Sequence, residues 1–192
     1  MEKLERSMID YDEVLEFAKK KHEGQFRADG VTPYINHPIL VAEIVRKYKP
    51  SKNIDAILAA ALLHDTLEDT YTSYRELVDN FGEMVASMVM EVTSASYMPH
   101  LVGKAEYLAK KMYAMSEYAL VIKLADRLAN IIDSKSLPSE RREKINKDTI
   151  IILDYLEQNR RLTIPEQNII SEIRRLLNEK NERREYETDK IL

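Results

Sequence analysis

The chain has 192 residues, of which 44% are hydrophobic and 32% charged, which is the size and apolar content of one globular domain with a buried core. Its formal net charge of −4 is small, and no stretch of clustered Lys and Arg indicates a nucleic-acid partner. Because the sequence has no cysteine, a metal site in this chain must use histidine and carboxylate ligands.

The start of the chain lacks the apolar run that is typical of a signal peptide. No later segment reaches the roughly 20 consecutive apolar residues that a helix needs to span a bilayer. We therefore expect a cytoplasmic protein without a membrane partner.

The spacing of the apolar residues predicts an all-α fold. Apolar positions recur at intervals of three and four, and only four glycines and six prolines interrupt them. The predicted helices cover, in chain order, about residues 9–22, 38–48, 52–69 and 73–80, a helix that begins after Gly82, and about residues 104–115, 117–134 and 139–159. The helix at 52–69 is apolar almost all round, which is typical of a helix at the centre of a bundle.

A last helix is predicted to begin near Thr163, Pro165 and Glu166. Its apolar residues share one face and comprise Ile169, Ile173, Leu176 and Leu177. This face predicts that residues 161–192 form a helix that packs on the rest of the domain or on a second subunit, with a frayed end. A homo-oligomer that forms through this helix is one expectation.

The motif HDTLEDT at 64–70 places four titratable side chains at the end of the apolar central helix. At about 100° per residue they project into a single arc of a continuous helix, and they are His64, Asp65, Glu68 and Asp69. Burying carboxylates together is unfavourable unless a cation neutralises them, and histidine with carboxylates suits a divalent transition metal. The alternative is a hydrogen-bonded His64–Asp65 pair in a core helix, with the other two carboxylates in solvent.

Two further elements favour the metal. A later apolar helix presents Lys123, Asp126 and Asn130 on one face, because these residues lie three and four positions apart. A loop bracketed by prolines, PYINHP, supplies a second imidazole from His37. A histidine, a His-Asp pair and an aspartate from three separate elements make a set of four ligands.

The order of these groups, His37, then His64–Asp65, then Asp126, matches the H…HD…D arrangement of the HD superfamily. The chain also resembles the hydrolase domain of the RelA/SpoT family and its small stand-alone alarmone hydrolases. Four segments carry this resemblance in the same order, namely HEGQFRADGVTPYINHP, AALLHDTLEDT, Phe81–Gly82 and KKMYAMSEYALVIKLADRLAN. The resemblance implies a single helical-bundle HD domain over 1–160 that hydrolyses the 3′-pyrophosphate of ppGpp and pppGpp.

The resemblance also implies roles for individual residues. The implied metal ligands are His37, His64, Asp65 and Asp126. The family's metal is manganese, although these ligand types also accept iron, cobalt or zinc. Glu68 and Asp69 are implied to orient and deprotonate the attacking water, and Arg27 to pack on the guanine base. The other implied substrate-binding residues are Tyr34, Lys123 and Asn130. The two remaining histidines, His22 and His100, are expected not to bind metal.

The sequence departs from the family's pattern beside Arg27, where Ala28 stands in place of a second basic residue. This departure leaves room for an HD phosphohydrolase that acts on another nucleotide, such as an adenosine alarmone or the 2′-phosphate of NADPH. A third interpretation is an inert alarmone-binding regulator, but the presence of Glu68 and of all four ligands argues against it. Because no synthetase region follows the hydrolase motifs, we expect a hydrolase alone.

Overall fold

The structure of the protein is a computed structural model that describes residues 9–94 and 103–188, with the side chains of 9–94 and 103–178. Its helices are, in chain order, α1 (Tyr11–Lys21), α2 (Asn36–Tyr48), α3 (Ile54–Leu63), α4 (Thr66–Asp69), α5 (Tyr74–Val92), α6 (Lys104–Ala114), α7 (Glu117–Asp133), α8 (Ser139–Asn159) and α9 (Ile164–Thr188). Apart from one antiparallel bridge between Phe26 and Pro33, the described residues contain no β-structure, which confirms the predicted all-α fold. No helix in this part of the chain combines the length and the apolar character that crossing a membrane requires.

Two helices form the centre of the bundle. Every residue of α3 from Ala56 to Leu63 is buried, and so is most of α7. α3 packs against α1, α2 and α5, whereas α7 packs against α2, α5 and α9. A helix that is apolar on all sides must be covered on all sides, and the neighbours of α3 satisfy this requirement.

α2 begins two residues earlier than the sequence predicts. It starts at Asn36, so Pro38 lies within the first turn and not at the first helical position. The backbone amides of Asn36 and His37 donate to the carbonyls of Pro33 and Tyr34, at 3.2 and 2.9 Å. The preceding loop therefore turns directly into the helix, and His37 becomes the second helical residue.

The long central helix predicted from the sequence is wrong in one respect, because the structure breaks it after Leu63. His64 and Asp65 form a turn, and α4 follows this turn. Two side chains form hydrogen bonds with backbone carbonyls at the break. His64 Nδ1 donates to the carbonyl of Ala61 at 2.8 Å, and Thr66 Oγ1 donates to the carbonyl of Leu63 at 2.7 Å. The acidic side chains beyond the break therefore do not follow the single arc of a continuous helix.

α5 is bent at Gly82, where the sequence predicts a boundary between two helices. Gly82 has φ 83° and ψ 165°, a backbone region that is essentially restricted to glycine. A side-chain cap is present at the start of α5, where Ser73 Oγ accepts from the amide of Glu76 at 3.1 Å. All but one of the buried residues of α5 follow the bend, so Gly82 sets the direction of the half that packs into the core.

The apolar face of α9 is buried within the chain. Its buried residues are Ile169, Ile170, Ile173, Leu176 and Leu177. They pack α9 against α7 and α2, and the amide of Thr163 caps the helix start by donating to Glu166 Oε2 at 2.6 Å. The face that the sequence offers to the domain or to a second subunit is thus used inside the chain. The domain boundary at 160 and the homo-oligomer stay predictions.

Gly82→Ala is expected to lower the free energy of unfolding by about 1–3 kcal/mol, because a side chain at this φ and ψ strains the backbone. Apart from the adjoining residues and the backbone of the helix itself, no atom lies within 4 Å of the added Cβ, so a clash with the rest of the fold does not contribute. Chemical denaturation measures the change, with Met90→Ala as a control at an exposed position on the same helix. An unfolding free energy equal to that of the wild type would contradict the proposed role of the bend.

Candidate functional site

Three helices bring a cluster of histidines and aspartates into the interior. His37 lies in the first turn of α2, His64 and Asp65 lie in the turn after α3, and Asp126 lies in the middle of α7. These helices pack on one another, and each of the four residues is at most 8% exposed. The structure therefore brings together the four residues that the resemblance implies as metal ligands.

The ligand atoms of this cluster face a common point. One ring nitrogen each of His37 and His64 and one carboxylate oxygen of Asp126 lie within 4.8 Å of one another. The Oδ2 atom of Asp65 lies 3.0 Å from His64 Nε2 and 3.8 Å from His37 Nε2. His37 Nε2 in turn lies 3.2 Å from Asp126 Oδ1. Two imidazoles and the Asp126 carboxylate thus surround one position, and the Asp65 carboxylate lies beside the two imidazoles.

The hydrogen bond of the His64 imidazole fits a bound divalent cation. His64 Nδ1 donates to the carbonyl of Ala61 at 2.8 Å, which fixes the tautomer and directs Nε2 towards the cluster. His64 Nε2 is buried and has no hydrogen-bond partner, although Asp65 lies close to it. A buried ring nitrogen without a partner is costly, and a cation at this position would remove that cost.

The carboxylates of the cluster are ionised in spite of their burial. Burial by itself raises the pKa of Asp126, but the Lys123 ammonium, 3.1 Å from Oδ2, and the His37 imidazole lower that pKa well below its usual range. The pKa of Asp65 is also lowered, against the effect of burial, by His64. Burial opposes a charged His64, yet Asp65 and Asp126 raise the pKa of this histidine. The two carboxylates therefore attract positive charge to the point between the imidazoles.

The side chains of Glu68 and Asp69 contact different parts of the structure. The Tyr34 hydroxyl donates to Asp65 Oδ2 at 2.7 Å and lies 3.3 Å from Asp69 Oδ2. Glu68 Oε2 instead accepts from the backbone amide of Ser94 at 3.0 Å. Burial raises the pKa of Asp69, and the negative charge of Asp65 raises it further. Asp69 is thus linked to the cluster through Tyr34, whereas Glu68 is held by the backbone after α5.

The loop that carries Arg27 is closed by its own hydrogen bonds. The amide of Arg27 donates to the carbonyl of Thr32 at 2.8 Å. The carboxylate of Asp29 accepts from the amide of Val31 and from the amide and hydroxyl of Thr32, at 2.6 to 2.9 Å. These hydrogen bonds, the one from the Thr32 hydroxyl first, lower the pKa of Asp29 to about 2. The loop therefore presents Arg27 from an ordered backbone.

A cavity of about 230 Å³ lies between this loop, α2 and the end of α7. Its polar lining includes Arg27, Asn36, His37, Asn130, Asp133 and Ser136. Its apolar wall is formed by Leu40, Leu137 and Ile145. An apolar wall with a few polar groups is typical of a small-molecule site. Because His37 belongs to both the cavity and the cluster, the two are adjacent.

Arg27 is held at the cavity by three side chains. Its Nη2 atom lies 2.7 Å from Asp133 Oδ2 and 3.5 Å from Asn130 Oδ1. Its guanidinium lies over the ring of Tyr34, 5.4 Å from the ring centroid. Asn130 Nδ2 in turn donates to Asp126 Oδ1 at 2.6 Å. Polar contacts thus run from Arg27 through Asn130 to the cluster.

The residues predicted to bind substrate fall into two groups. Arg27 and Asn130 line the cavity. Tyr34 and Lys123 do not line it, and instead each contacts one carboxylate of the cluster. Asp133, the ion-pair partner of Arg27, was not predicted from the sequence. Its spacing could have indicated it, since it lies three residues after Asn130 on the same helical face.

The two remaining histidines lie apart from the cluster or outside the described residues. His22 Nδ1 forms a hydrogen bond with Gln25 Oε1 at 2.7 Å, and its ring packs on Tyr34 with a centroid distance of 4.8 Å. His22 therefore packs against the ring of Tyr34 and does not join the cluster. His100 falls outside the described residues.

Comparisons with known proteins agree with the fold. A family model described as HD domain matches residues 14–162. The guanosine-3′,5′-bis(diphosphate) 3′-pyrophosphohydrolase MESH1 from Xenopus tropicalis is 40% identical over 129 residues, which are 67% of this chain and 71% of that protein. A solved structure of a metazoan ortholog of SpoT that hydrolyses ppGpp is 30% identical with a TM-score of 0.71, over 86% of this chain and 93% of that one.

Longer relatives match over only part of their length. A guanosine-3′,5′-bis(diphosphate) 3′-pyrophosphohydrolase from Aquifex aeolicus is 41% identical over 139 residues, which are 71% of this chain and 19% of that protein. The chain thus spans about a fifth of this relative. The family resemblance predicted from the motifs is confirmed: the chain belongs to the HD-domain family, in the group that includes MESH1 and SpoT.

Proposed function

We propose that this chain is a cytoplasmic, manganese-dependent enzyme that hydrolyses the 3′-pyrophosphate of ppGpp and pppGpp to GDP or GTP and pyrophosphate. The observation that carries the proposal is the double position of His37, which belongs to the histidine-aspartate cluster and also lines the cavity beside Arg27. The cavity therefore lies directly beside the residues that would hold the cation. Relatives that are named as hydrolases of this nucleotide support the guanosine alarmone as substrate.

The proposed ligands of the cation are His37, His64, Asp65 and Asp126. Two imidazoles and two carboxylates accept manganese, and they also accept iron, cobalt or zinc. When bound, the ion supplies charge stabilisation at the phosphate and lowers the pKa of water towards neutrality. His64 suits this role because its Nδ1 atom donates to the Ala61 carbonyl, which leaves the lone pair of Nε2 free to bind the cation.

Glu68 and Asp69 are proposed to orient the attacking water and to take up its proton. The water oxygen forms a bond to the phosphorus on the ribose 3′-oxygen, the bond between that phosphorus and the 3′-oxygen breaks, and the 3′-oxygen takes up a proton. Asp69 suits the role of proton acceptor because burial and the charge of Asp65 raise its pKa. Glu68 suits an orienting role because the Ser94 amide fixes its carboxylate.

The remaining polar residues are proposed to bind the nucleotide. Arg27 stacks on the base, since a guanidinium plane is weakly hydrated. Tyr34 supports Arg27 through its ring, and Asn130 offers its amide at the cavity wall. Lys123 contributes positive charge near the phosphates from its position beside Asp126.

The base and the phosphate pattern of the substrate need a direct test, because Ala28, which replaces a basic residue of the family, lines the cavity. Metal-stripped protein is incubated with ppGpp, pppApp or NADPH, with and without manganese, and the products are separated by anion-exchange chromatography. We expect manganese-dependent release of pyrophosphate from ppGpp. Turnover of pppApp or NADPH alone would replace the proposed substrate, and turnover of none would favour a binding protein.

Substitutions of Asp65 and Glu68 separate the metal ligands from the water-orienting pair. Asp65→Ala is expected to remove bound metal and activity together, because a ligand is lost. Glu68→Ala is expected to retain metal while turnover falls about 10²- to 10⁴-fold. Metal content after gel filtration and kcat measure the two effects. Activity retained in either variant would refute the role proposed for that residue.

Asp29→Ala is expected to weaken nucleotide binding without changing the metal content, because it removes the three hydrogen bonds that order the loop of Arg27. Calorimetric titration of the metal-loaded protein with GDP measures the affinity. Asp55→Ala, at an exposed position in the first turn of α3, is the matched control. Equal affinities in the two variants would show that the order of the loop does not contribute to binding.

A further inference from the structure

Asp133, the last residue of α7, lines the cavity and lies beside His37 of the histidine-aspartate cluster. Its Oδ2 atom is 2.7 Å from Arg27 Nη2 and 3.9 Å from His37 Nδ1. Its side chain is 35% exposed, whereas that of His37 is 1% exposed. A single carboxylate thus faces a residue of each part of the site.

His37 needs an acceptor for the ring nitrogen that faces away from the cluster. Its Nε2 atom faces the cluster and donates to Asp126 Oδ1 at 3.2 Å, a hydrogen bond that a cation bound at Nε2 would replace. A neutral imidazole that offers Nε2 to a cation carries its proton on Nδ1. This Nδ1 atom is buried and has no hydrogen-bond partner. Within the described ranges, Asp133 is the one carboxylate within 4.0 Å of it.

We propose that Asp133 is a positioning residue that couples the metal site to the nucleotide cavity. Its carboxylate accepts the Nδ1–H of His37 when the cation is bound, and it continues to hold Arg27. Both contacts are compatible, because a carboxylate has two oxygens and about four acceptor positions. The contact with His37 has to shorten by about 1 Å to reach hydrogen-bond distance. This inference rests on the proposed metal site and nucleotide cavity.

The proposed coupling predicts how bound metal changes the affinity for nucleotide. A cation on His37 draws Asp133 towards Nδ1, and this fixes the position of the guanidinium of Arg27 that is proposed to stack on the base. Metal is therefore expected to tighten nucleotide binding, and by linkage the nucleotide tightens metal binding by the same factor. An ion pair between Arg27 and Asp133 that served only to stabilise the fold would leave the metal affinity unchanged.

The test is a titration of the metal-stripped protein with Co²⁺, which reports ligand geometry through its visible spectrum. Asp133→Ala is expected to lower Co²⁺ affinity about 10- to 100-fold, as is usual when the outer partner of a metal-bound histidine is lost. Asp133→Asn is expected to recover part of the affinity, because the amide oxygen still accepts from Nδ1–H. Both variants are also expected to change the spectrum of the bound ion.

Two controls separate this effect from a general loss of structure. Asp154→Ala removes a carboxylate that also pairs with an arginine, but this pair, Asp154 with Arg174, lies at the surface between α8 and α9. This variant should leave Co²⁺ affinity unchanged. Arg27→Ala should leave Co²⁺ affinity at or above that of the wild type but abolish the effect of GDP on it. Circular dichroism checks the fold of each variant, and Asp133→Asn keeps the test valid if Asp133→Ala does not fold.

The outcomes distinguish this inference from the proposed function. Wild-type Co²⁺ affinity and spectrum in folded Asp133→Ala or Asp133→Asn would overturn the role of Asp133 and leave the proposed activity intact. A wild-type protein that binds no Co²⁺ would overturn the metal site and with it the proposed function. A substrate other than ppGpp would leave the Co²⁺ result valid.

Discussion

The structure depends on how ionisable side chains are accommodated between α2, α3 and α7. Each buried carboxylate of the cluster has a basic partner, since Asp65 lies 3.0 Å from His64, and Asp126 lies 3.1 Å from Lys123 and 3.2 Å from His37. Breaking a buried pair of this kind by removing one partner costs about 3–5 kcal/mol, because it leaves an uncompensated charge. The packing of the three helices and the composition of the cluster therefore constrain each other.

A large part of this arrangement could be predicted from the sequence. The intervals of three and four between apolar residues predicted the helices, including the central position of α3. His64 and Asp126 could be selected because each is a polar side chain in an otherwise apolar predicted helix, and His37 because a loop bracketed by prolines supplies a second imidazole. Their convergence followed from the resemblance of the motifs, since periodicity shows which face a residue occupies but not which face of another helix it meets.

The rest depends on contacts that the sequence does not display. The break after Leu63 follows from the hydrogen bonds that His64 and Thr66 make to backbone carbonyls, and these compete with a continuous apolar helix. Asp133 could not be assigned as the partner of Arg27, because 106 positions separate the two residues. Helical spacing could have indicated that Asp133 shares a face with the site, but only the tertiary structure identifies its partner.

The end of α3 has an electrostatic consequence for the order of binding. A helix carries about half a negative elementary charge at its C-terminus, and α3 ends immediately before His64. Among the described residues, the site adds five carboxylates, those of Asp65, Glu68, Asp69, Asp126 and Asp133. Arg27 pairs with Asp133 and Lys123 pairs with Asp126, and Lys111 lies close enough to Glu68 to interact with its charge. This excess of negative charge repels an anionic nucleotide and attracts a divalent ion. We therefore expect the ion to enter first and to reverse the local potential that the nucleotide then meets.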